Sequence, residues 1–375
     1  MFHHDNRPYA VAVTETADRF QNELDAIVAS RRASAVAVID RVQREVPDDH
    51  LASTHALHFE ADDGRIHLGA RSSRFHQPLH RHALGQVADR AGVPDVFVTR
   101  LLAKPWGATL LAGILNQVFA REDERRLLVR SVGDEVRGVL SDSYRRMDSR
   151  PILDAFSVAC SEMGVVPVEG VAGDLRFAVR ALLPTVFRPG GDEAVAFGVE
   201  VSSSDFGAGA LSIRTFVLRV WCTNFARLDE ELRKVHLGRR LDDTLEFSEQ
   251  THALDTAAVA SAVRDIVRGS MAPAKVRAQV ALIERAMTEK IDFKAALGGL
   301  PKLGVLKAEI EAVKDVLTSG GIEQLPSGNS AYRMSNAISW VAKAAETAER
   351  RLELETLAGR YLIGCKPQRL ELEAA

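Results

Sequence analysis

A β-hairpin that runs directly into a helix is the feature of this sequence that most constrains its fold. Two apolar runs, LLVRS and EVRGVLS, flank Gly133-Asp134, a pair that favours the tight turn of a hairpin. Pro151 then suits the first turn of a helix, where its missing N–H is not needed, and apolar residues follow at helical spacing. Gly164 stands where a left-handed helix cap belongs. These signals predict a β-β-α unit.

A series of strands is predicted after this unit, beginning with VVPVEGV. In LRFAVRALL the side chains alternate, which places Arg176 and Arg180 together on one face. AVAFGVEV and LSIRTFVLRVWC then flank a loop of glycines and short polar residues at positions 202–209. LSIRTFVLRVWC is apolar on both faces, so it is expected in the interior of its sheet.

The N-terminal part reads as helices around a small hairpin. Apolar spacing predicts a helix over Thr14–Val46, and alternating residues on either side of Asp63-Gly64 predict the hairpin. Two short helices separated by Gly92 and Pro94 follow, which resemble a helix-turn-helix outline.

The C-terminal part is helical from Leu254 onward, with a helix starting at Pro273 and breaks at Gly298-Gly299 and Gly320-Gly321. The fold class predicted is therefore α+β, with a central antiparallel sheet, a helical N-terminal part carrying a small hairpin, and a helical C-terminal region. The predicted domains are a helical region with a hairpin, an α+β core and a helical region, at 1–120, 121–250 and 251–375.

Charge and cysteine content limit the possible classes of protein. Lys and Arg number 48 against 51 Asp and Glu, a formal charge of -3, so a nucleic-acid site has to come from a local patch. Cys160, Cys222 and Cys365 lie far apart, which argues against a zinc ribbon and fits a reducing compartment. The first residues do not resemble a secretory signal, and no apolar run approaches a membrane span. A cytoplasmic protein without a membrane partner is expected.

Arginines concentrated in the middle third indicate a nucleic-acid site. Guanidinium groups bind phosphates in pairs of hydrogen bonds and stack on bases. The alternative is that they pair with neighbouring acids, such as Glu122 and Asp148, on an ordinary solvated surface. The predicted nucleic-acid-binding residues are Arg126, Arg130, Arg137, Arg145, Arg146, Arg176 and Arg180.

Motifs for catalysis or cofactor binding do not emerge. His76, His80 and His82 lie close in sequence, but Pro78 interrupts them and a surface or capping role is expected. There is no phosphate-binding P-loop and no nucleophile elbow. Neither catalytic residues, nor a metal, nor a cofactor is therefore predicted, and an enzyme is less expected than a binding protein. The carboxylates that a metal-dependent nuclease would use are Asp142, Asp148, Glu200 and Asp205.

Several short blocks resemble a family of phage- and plasmid-encoded proteins of unknown function. They are Leu140-Ser141-Asp142-Ser143-Tyr144-Arg145, then Ser204-Asp205-Phe206-Gly207 with Ala210-Leu211, then Cys222-Thr223-Asn224, with a weaker echo in Ser335-Asn336-Ala337-Ile338-Ser339-Trp340. The family usually has Gly after that Asn, where this chain has Phe225. The resemblance implies an origin in a mobile element and supplies no activity.

The order of hairpin, helix and arginine-bearing strands is also similar in topology to phage single-strand annealing proteins. The expected function is therefore nucleic-acid binding, with single-stranded DNA as the partner, in annealing or recombination and as a homo-oligomer. Two alternatives stay open. One is a protein-interaction module of a mobile element, such as an inhibitor of host defence that uses the C-terminal helices. The other is a metal-dependent nuclease.

Overall fold

The structure, a computed structural model, describes residues 15–70, 75–190, 193–234, 248–319 and 328–364. It confirms the α+β class: antiparallel sheets are combined with an N-terminal helix and a helical C-terminal region. The first residues of the chain, the predicted break at Gly320-Gly321 and Cys365 lie outside the described residues.

Three antiparallel sheets account for the strands of the described residues. The first has the order β1-β5-β6, the second β2-β3-β4, and the third β11-β10-β9-β8-β7. The strands are β1 Asp48–Ser53, β2 Leu57–Asp62, β3 Arg65–Ala70, β4 His76–Pro78, β5 Arg126–Val132, β6 Glu135–Ser141, β7 Val166–Ala172, β8 Phe177–Leu182, β9 Val195–Ser203, β10 Leu211–Arg219 and β11 Asn224–Lys234.

The helices surround these sheets, and most of them follow β11. They are α1 Glu15–Arg44, α2 Arg81–Arg90, α3 Asp95–Leu102, α4 Gly107–Phe119, α5 Ser149–Glu162, α6 Glu249–Ser270, α7 Pro273–Thr288, α8 Phe293–Gly299, α9 Lys307–Ser319, α10 Ala331–Ala342 and α11 Ala348–Ile363.

The predicted β-β-α unit is confirmed as β5, β6 and α5. Gly133 has a φ of 59° in the hairpin turn and Gly164 a φ of 67° after the helix, both in the left-handed region that glycine tolerates. However, the hairpin is not part of the large sheet. It pairs with β1, a non-local partner, and the two form a sheet of their own.

Other predicted elements are also confirmed. The first hairpin turns at Asp63 and Gly64, whose φ values of 46° and 73° are those of a turn with two left-handed residues. The two short helices are α2 and α3, and the ring of His80 caps α2 by accepting a hydrogen bond from the N–H of His82. The strand with two apolar faces is β10, which lies between β9 and β11 in the sheet interior.

Most buried apolar side chains of the described residues belong to three hydrophobic cores, and a small fourth cluster consists of Leu128, Leu140 and Tyr144. One face of the five-stranded sheet packs on α5, α6, α7, α10 and α11, and part of the other face packs on Phe20 and Leu24 of α1. The third core joins the two small sheets to α2, α3 and α4, and its members extend from Ala52 to Val139. This core therefore continues across position 120, where the sequence placed a domain boundary.

Helices cover both edge strands of the large sheet. A Cβ at Gly170 of β7 would overlap the backbone of α1 at Ser34, and the Gly170 N–H donates to Ser34 Oγ at 3.1 Å. At the opposite edge, a Cβ at Gly359 of α11 would overlap the carbonyl oxygen of Arg227 in β11. Glycine at these two positions lets the helices approach the sheet closely.

Candidate functional site

Arg130, one of the seven predicted nucleic-acid-binding residues, is buried between acidic side chains. Its guanidinium lies 2.7 Å from Asp49 and 2.6 Å from Asp148, and its side chain is 1% exposed. Burial alone would lower the pKa of Arg130, but the surrounding carboxylates outweigh it and raise the pKa above its ordinary value. Arg130 is therefore closed to a phosphate and joins β5 to the start of α5.

Three more of the predicted arginines also have acidic partners. All three guanidiniums are partly buried, and each forms an ion pair with a residue from a different segment. The pairs are Arg137 with Glu45, Arg145 with Asp255, and Arg146 with Glu249. They tie the linker between β6 and α5, and the hairpin itself, to α1 and α6.

Arg126 and Arg176 are placed differently. Arg126 is exposed at the start of β5, and Arg176 lies in the β7–β8 turn with its guanidinium over Gly209. The seven arginines do not form one basic surface, because they are distributed over two sheets and most are neutralised within the chain. The sequence pattern predicted that these arginines share one site in the middle third, and the structure does not bring them together there.

Arg180 lies at the centre of a buried ion network on the large sheet. It contacts Glu169 at 2.7 Å, Glu200 at 2.8 Å and also Glu355 of α11, and it is 1% exposed. Burial opposes its charge, but the three glutamates raise its pKa above the ordinary value. Arg180 was predicted to meet nucleic acid, yet it lies beneath the surface and cannot do so in this arrangement.

Three more arginines complete the network. Arg227 contacts Glu200, Arg31 of α1 contacts Glu169 at 3.1 Å, and Arg351 of α11 contacts the same carboxylate at 2.8 Å. The guanidiniums of Arg180, Arg31 and Arg351 lie 4.5, 5.4 and 5.9 Å from the ring centre of Phe225. This aromatic ring stands where the resembled family has Gly, and it stabilises the cations through its π face.

The network opens to solvent at a cationic patch formed by Arg31, Lys343 and Arg351. Arg31 and Arg351 are 27% and 23% exposed, and Lys343 is exposed, with its ammonium at the carbonyl of Cys222. With Arg180 and Arg227 beneath, four guanidiniums contact the three carboxylates of the network, and Lys343 adds a fifth cation beside Arg31 and Arg351. The patch therefore carries an excess of positive charge.

Two pKa values are lowered at the patch, first by burial and then by this excess. Burial lowers the pKa of Arg31 and, although Glu169 opposes the change, the like charges of Arg351 and Arg180 lower it further. Partial burial also lowers the pKa of Lys343, and Arg31 and Arg351 act in the same direction. An anion bound at the patch would stabilise both cations.

The turn between β10 and β11 forms the floor of the patch. Thr223 has a φ of 55°, a left-handed conformation that a β-branched residue adopts at a cost of about 1–3 kcal/mol. Its Oγ1 accepts a hydrogen bond from Arg31 at 3.1 Å. Trp221 and Trp340 are partly exposed beside this turn, and Lys343 lies 4.4 Å from the ring centre of Trp340.

Sequence reasoning missed the cationic patch because its residues are far apart in the chain. Arg31, Lys343 and Arg351 come from α1, the end of α10 and α11, and no local spacing connects them. One available signal was the block Cys222-Thr223-Asn224. In the structure it meets the late Asn- and Trp-bearing helix, where Asn224 Nδ2 donates to the carbonyl of Asn336 at 3.2 Å.

The other two blocks of the family resemblance also come together. Tyr144 packs in the junction between the hairpin and the large sheet, and its hydroxyl donates to the carbonyl of Ser204 at 3.4 Å. Asp205, next in the chain, accepts hydrogen bonds from the N–H and Oγ of Ser149. The four blocks thus meet in two places, one at this junction and one at the cationic patch.

A separate apolar surface lies at the α3–α4 corner. Four large apolar side chains are between 43% and 62% exposed there, and the segment 96–121 contains no Asp or Glu while it carries Arg100 and Lys104. The exposed residues are Val96, Phe97, Trp106 and Leu110. Exposed apolar side chains grouped in this way are typical of interaction surfaces.

The carboxylates considered for a nuclease do not assemble. Glu200 belongs to the ion network on the large sheet, whereas Asp148 and Asp205 lie at Arg130 near the start of α5. Over the described ranges, no group of three or more His, Cys, Asp and Glu side chains is positioned to hold a metal ion. In the same ranges, no helix is long and apolar enough to cross a membrane.

Comparison of the chain with protein-family models, with curated proteins and with solved structures gave no match in any of the three. The functional interpretation therefore depends on the chain's own residues.

Proposed function

We propose that this protein binds single-stranded nucleic acid through the cationic patch. The excess of five cations over three carboxylates supports this function most directly, because among the described residues of the network three carboxylates do not balance five cations. Phosphates of a nucleic-acid backbone are anions that suit guanidinium and ammonium groups held at fixed positions. The glutamates beneath hold Arg31 and Arg351 in place before a ligand arrives.

A single strand fits this patch better than a duplex. Trp340 lies partly exposed beside Lys343, and an aromatic ring next to a basic side chain can stack on unpaired bases. In a duplex the bases are already stacked on one another, so only the phosphates would remain for Arg31, Lys343 and Arg351. Annealing or recombination of strands is the process in which such binding would be used.

A cytoplasmic location and assembly into a homo-oligomer are parts of the same proposal. An oligomer would present several patches to one strand, and the linked contacts would raise the apparent affinity. Light scattering of the protein with and without an oligonucleotide measures the assembly. A monomer in both conditions would contradict the proposed oligomer. It would not test the binding, which the next experiment measures.

Fluorescence anisotropy of a labelled oligothymidylate at low salt tests the binding. We expect Lys343→Glu to weaken binding about tenfold or more, since it replaces a cation of the patch by an anion. Lys302→Glu is the matched control, because Lys302 is exposed in the short 3-10 helix that follows α8 and the substitution makes the same change of charge. It should leave the affinity close to that of the unchanged protein.

Two results would contradict the proposal. One is the absence of binding at low salt, where phosphate contacts are strongest. The other is an equal effect of the two substitutions, which would mean that overall charge rather than the patch determines binding. A labelled duplex of the same length provides the comparison for strand preference, and equal affinity would refute the preference for a single strand.

A second candidate function is the binding of a partner protein at the α3–α4 corner. Four exposed apolar side chains in an acid-free segment favour an acidic partner with an apolar face. A double substitution, Trp106→Ser with Leu110→Ser, should abolish recovery of a stoichiometric partner, while Lys343→Glu should not affect it. Recovery that survives the double substitution would exclude the corner as the binding surface.

A further inference from the structure

A small cleft lies at the junction between the hairpin-bearing core and the large sheet. The end of α1, the β7–β8 turn, Ser149 and the loop 204–206 line it. Its volume of about 40 Å³ has room for roughly three water molecules or one compact oxyanion. We call it the junction cleft, and the nucleic-acid proposal makes no use of it.

Two of the three carboxylates at this cleft are occupied or turned to solvent. Glu45 accepts hydrogen bonds from Arg41 at 3.1 Å and from Arg137 at 2.8 Å. Asp174 is 74% exposed, and the ring of His80 lies 3.8 Å from its carboxylate. Neither carboxylate is paired with Arg176, which lines the same cleft.

Arg176 is held at the cleft by packing. Its guanidinium lies over Gly209, where an added Cβ would be 2.8 Å from its Cζ. In the part of the chain that the structure describes, no carboxylate forms an ion pair with it. A guanidinium that lines a cleft without an acidic partner leaves its donors available to an anion.

Asp205 faces the same space as a protonatable acid. Both hydrogen bonds from Ser149 reach its Oδ1, at 2.9 and 2.7 Å, so Oδ2 receives neither of them. Burial raises the pKa of Asp205 to about 6, Arg130 and Ser149 oppose this, and Asp148 adds to it. Tyr144 is a further titratable group that interacts with this carboxyl.

We infer that the junction cleft binds a compact oxyanion, with Arg176 donating to the anion and protonated Asp205 donating a further hydrogen bond from Oδ2. The ligand class comprises phosphate, sulfate and terminal phosphate groups of larger molecules, which present similar oxygens to a guanidinium. Ionised Asp205 would repel such an anion, so binding should be stronger below about pH 6 than above it.

Calorimetric titration of the full chain with inorganic sulfate tests this inference, because sulfate keeps its charge between pH 5 and pH 8. We expect binding in about the millimolar range at pH 5 and at least roughly tenfold weaker binding at pH 8. Glycerol phosphate, titrated in parallel, distinguishes a free anion from a terminal ester group. Binding of sulfate alone would restrict the ligand to free anions.

Substitutions then assign the roles. Arg176→Gln should abolish binding, Gly209→Ala should weaken it by displacing the guanidinium, and Asp205→Asn should remove its pH dependence. Arg277→Gln, at an exposed position of α7, is the control and should bind like the unchanged protein.

Two outcomes would overturn the inference: no binding of either anion at pH 5, or unchanged binding by the Arg176→Gln protein. Lys343→Glu weakens anion binding at the cationic patch, but it should leave the pH-dependent binding of sulfate at the junction cleft intact. The junction cleft and the cationic patch can therefore fail or succeed independently of each other.

Discussion

Asp205 accepts two hydrogen bonds from Ser149, one from the backbone N–H at 2.9 Å and one from Oγ at 2.7 Å. These bonds join the β9–β10 loop to the first residue of α5, so a carboxylate remote in sequence caps that helix. The sequence pattern assigned Asp205 to a turn of its own loop, and its tertiary contact was not predictable from local spacing.

This capping contact makes stability depend on pH. The pKa of Asp205 is raised from 3.8 to about 6, so folding favours its protonated form. The stability that this form contributes is complete below about pH 4 and is lost as the pH rises through 6.

Urea unfolding of the unchanged protein and of Asp205→Asn between pH 4 and pH 7 measures this effect. Asn can accept from Ser149 but cannot ionise, so the free energy of unfolding of the variant should rise relative to the unchanged protein, by up to about 3 kcal/mol at pH 7. Parallel pH profiles for the two proteins would contradict the assignment to Asp205.

Removing Arg180 should destabilise the protein strongly. Arg180→Met leaves Glu169, Glu200 and Glu355 with fewer cations in a buried site, and we expect a loss of about 3–5 kcal/mol in the free energy of unfolding. Arg268→Met is the control, since Arg268 and its partner Glu162 are each 44% exposed. Chemical unfolding at neutral pH should reveal little change in the control, and equal losses would refute the role of the buried network.

Two glycine-to-alanine substitutions should act in opposite directions. At Gly359 a Cβ would overlap the carbonyl of Arg227, so Gly359→Ala should cost at least about 2 kcal/mol of stability by pushing α11 from β11. At Gly113, in the exposed middle of α4, a Cβ meets nothing within 4 Å. Gly113→Ala should therefore raise stability by up to about 1 kcal/mol through helix propensity. Thermal unfolding of both variants tests the close approach directly.

The salt dependence of nucleic-acid binding should report the number of phosphates at the cationic patch. Lys343→Gln removes one cation, so the slope of log affinity against log salt concentration should fall by about 0.7 for a single strand. Anisotropy titrations at four salt concentrations give this slope. An unchanged slope would place Lys343 outside the phosphate contacts.

The sequence predicted local elements well because their signals are local. Turn glycines such as Gly133 and Gly164 depend only on neighbouring residues. The alternation also predicted a strand that includes Arg176, but β8 begins at Phe177 and Arg176 lies in the turn before it. The pairing of β1 with β5 was not predictable, since strands that lie more than 70 residues apart carry no common spacing.

The residues of the proposed cationic patch were less predictable for the same reason. A run of arginines indicates positive charge, but whether Arg130 or Arg145 is neutralised depends on acids such as Asp49 and Asp255 that the fold brings in from other segments. The cations that stay in excess, Arg31 and Lys343, were identified only once α1 and α10 had been placed beside the same turn.

The close cover of both edges of the large sheet also limits how copies of the protein can assemble. At Gly170 the outward N–H is already bonded to Ser34, and at Gly359 a helix backbone stands against the carbonyl of Arg227. At these positions a strand from a second chain therefore cannot form the backbone hydrogen bonds that would extend the sheet. Fibres and rings built by continuing this sheet from molecule to molecule are blocked there, and a complex has to use side-chain surfaces instead.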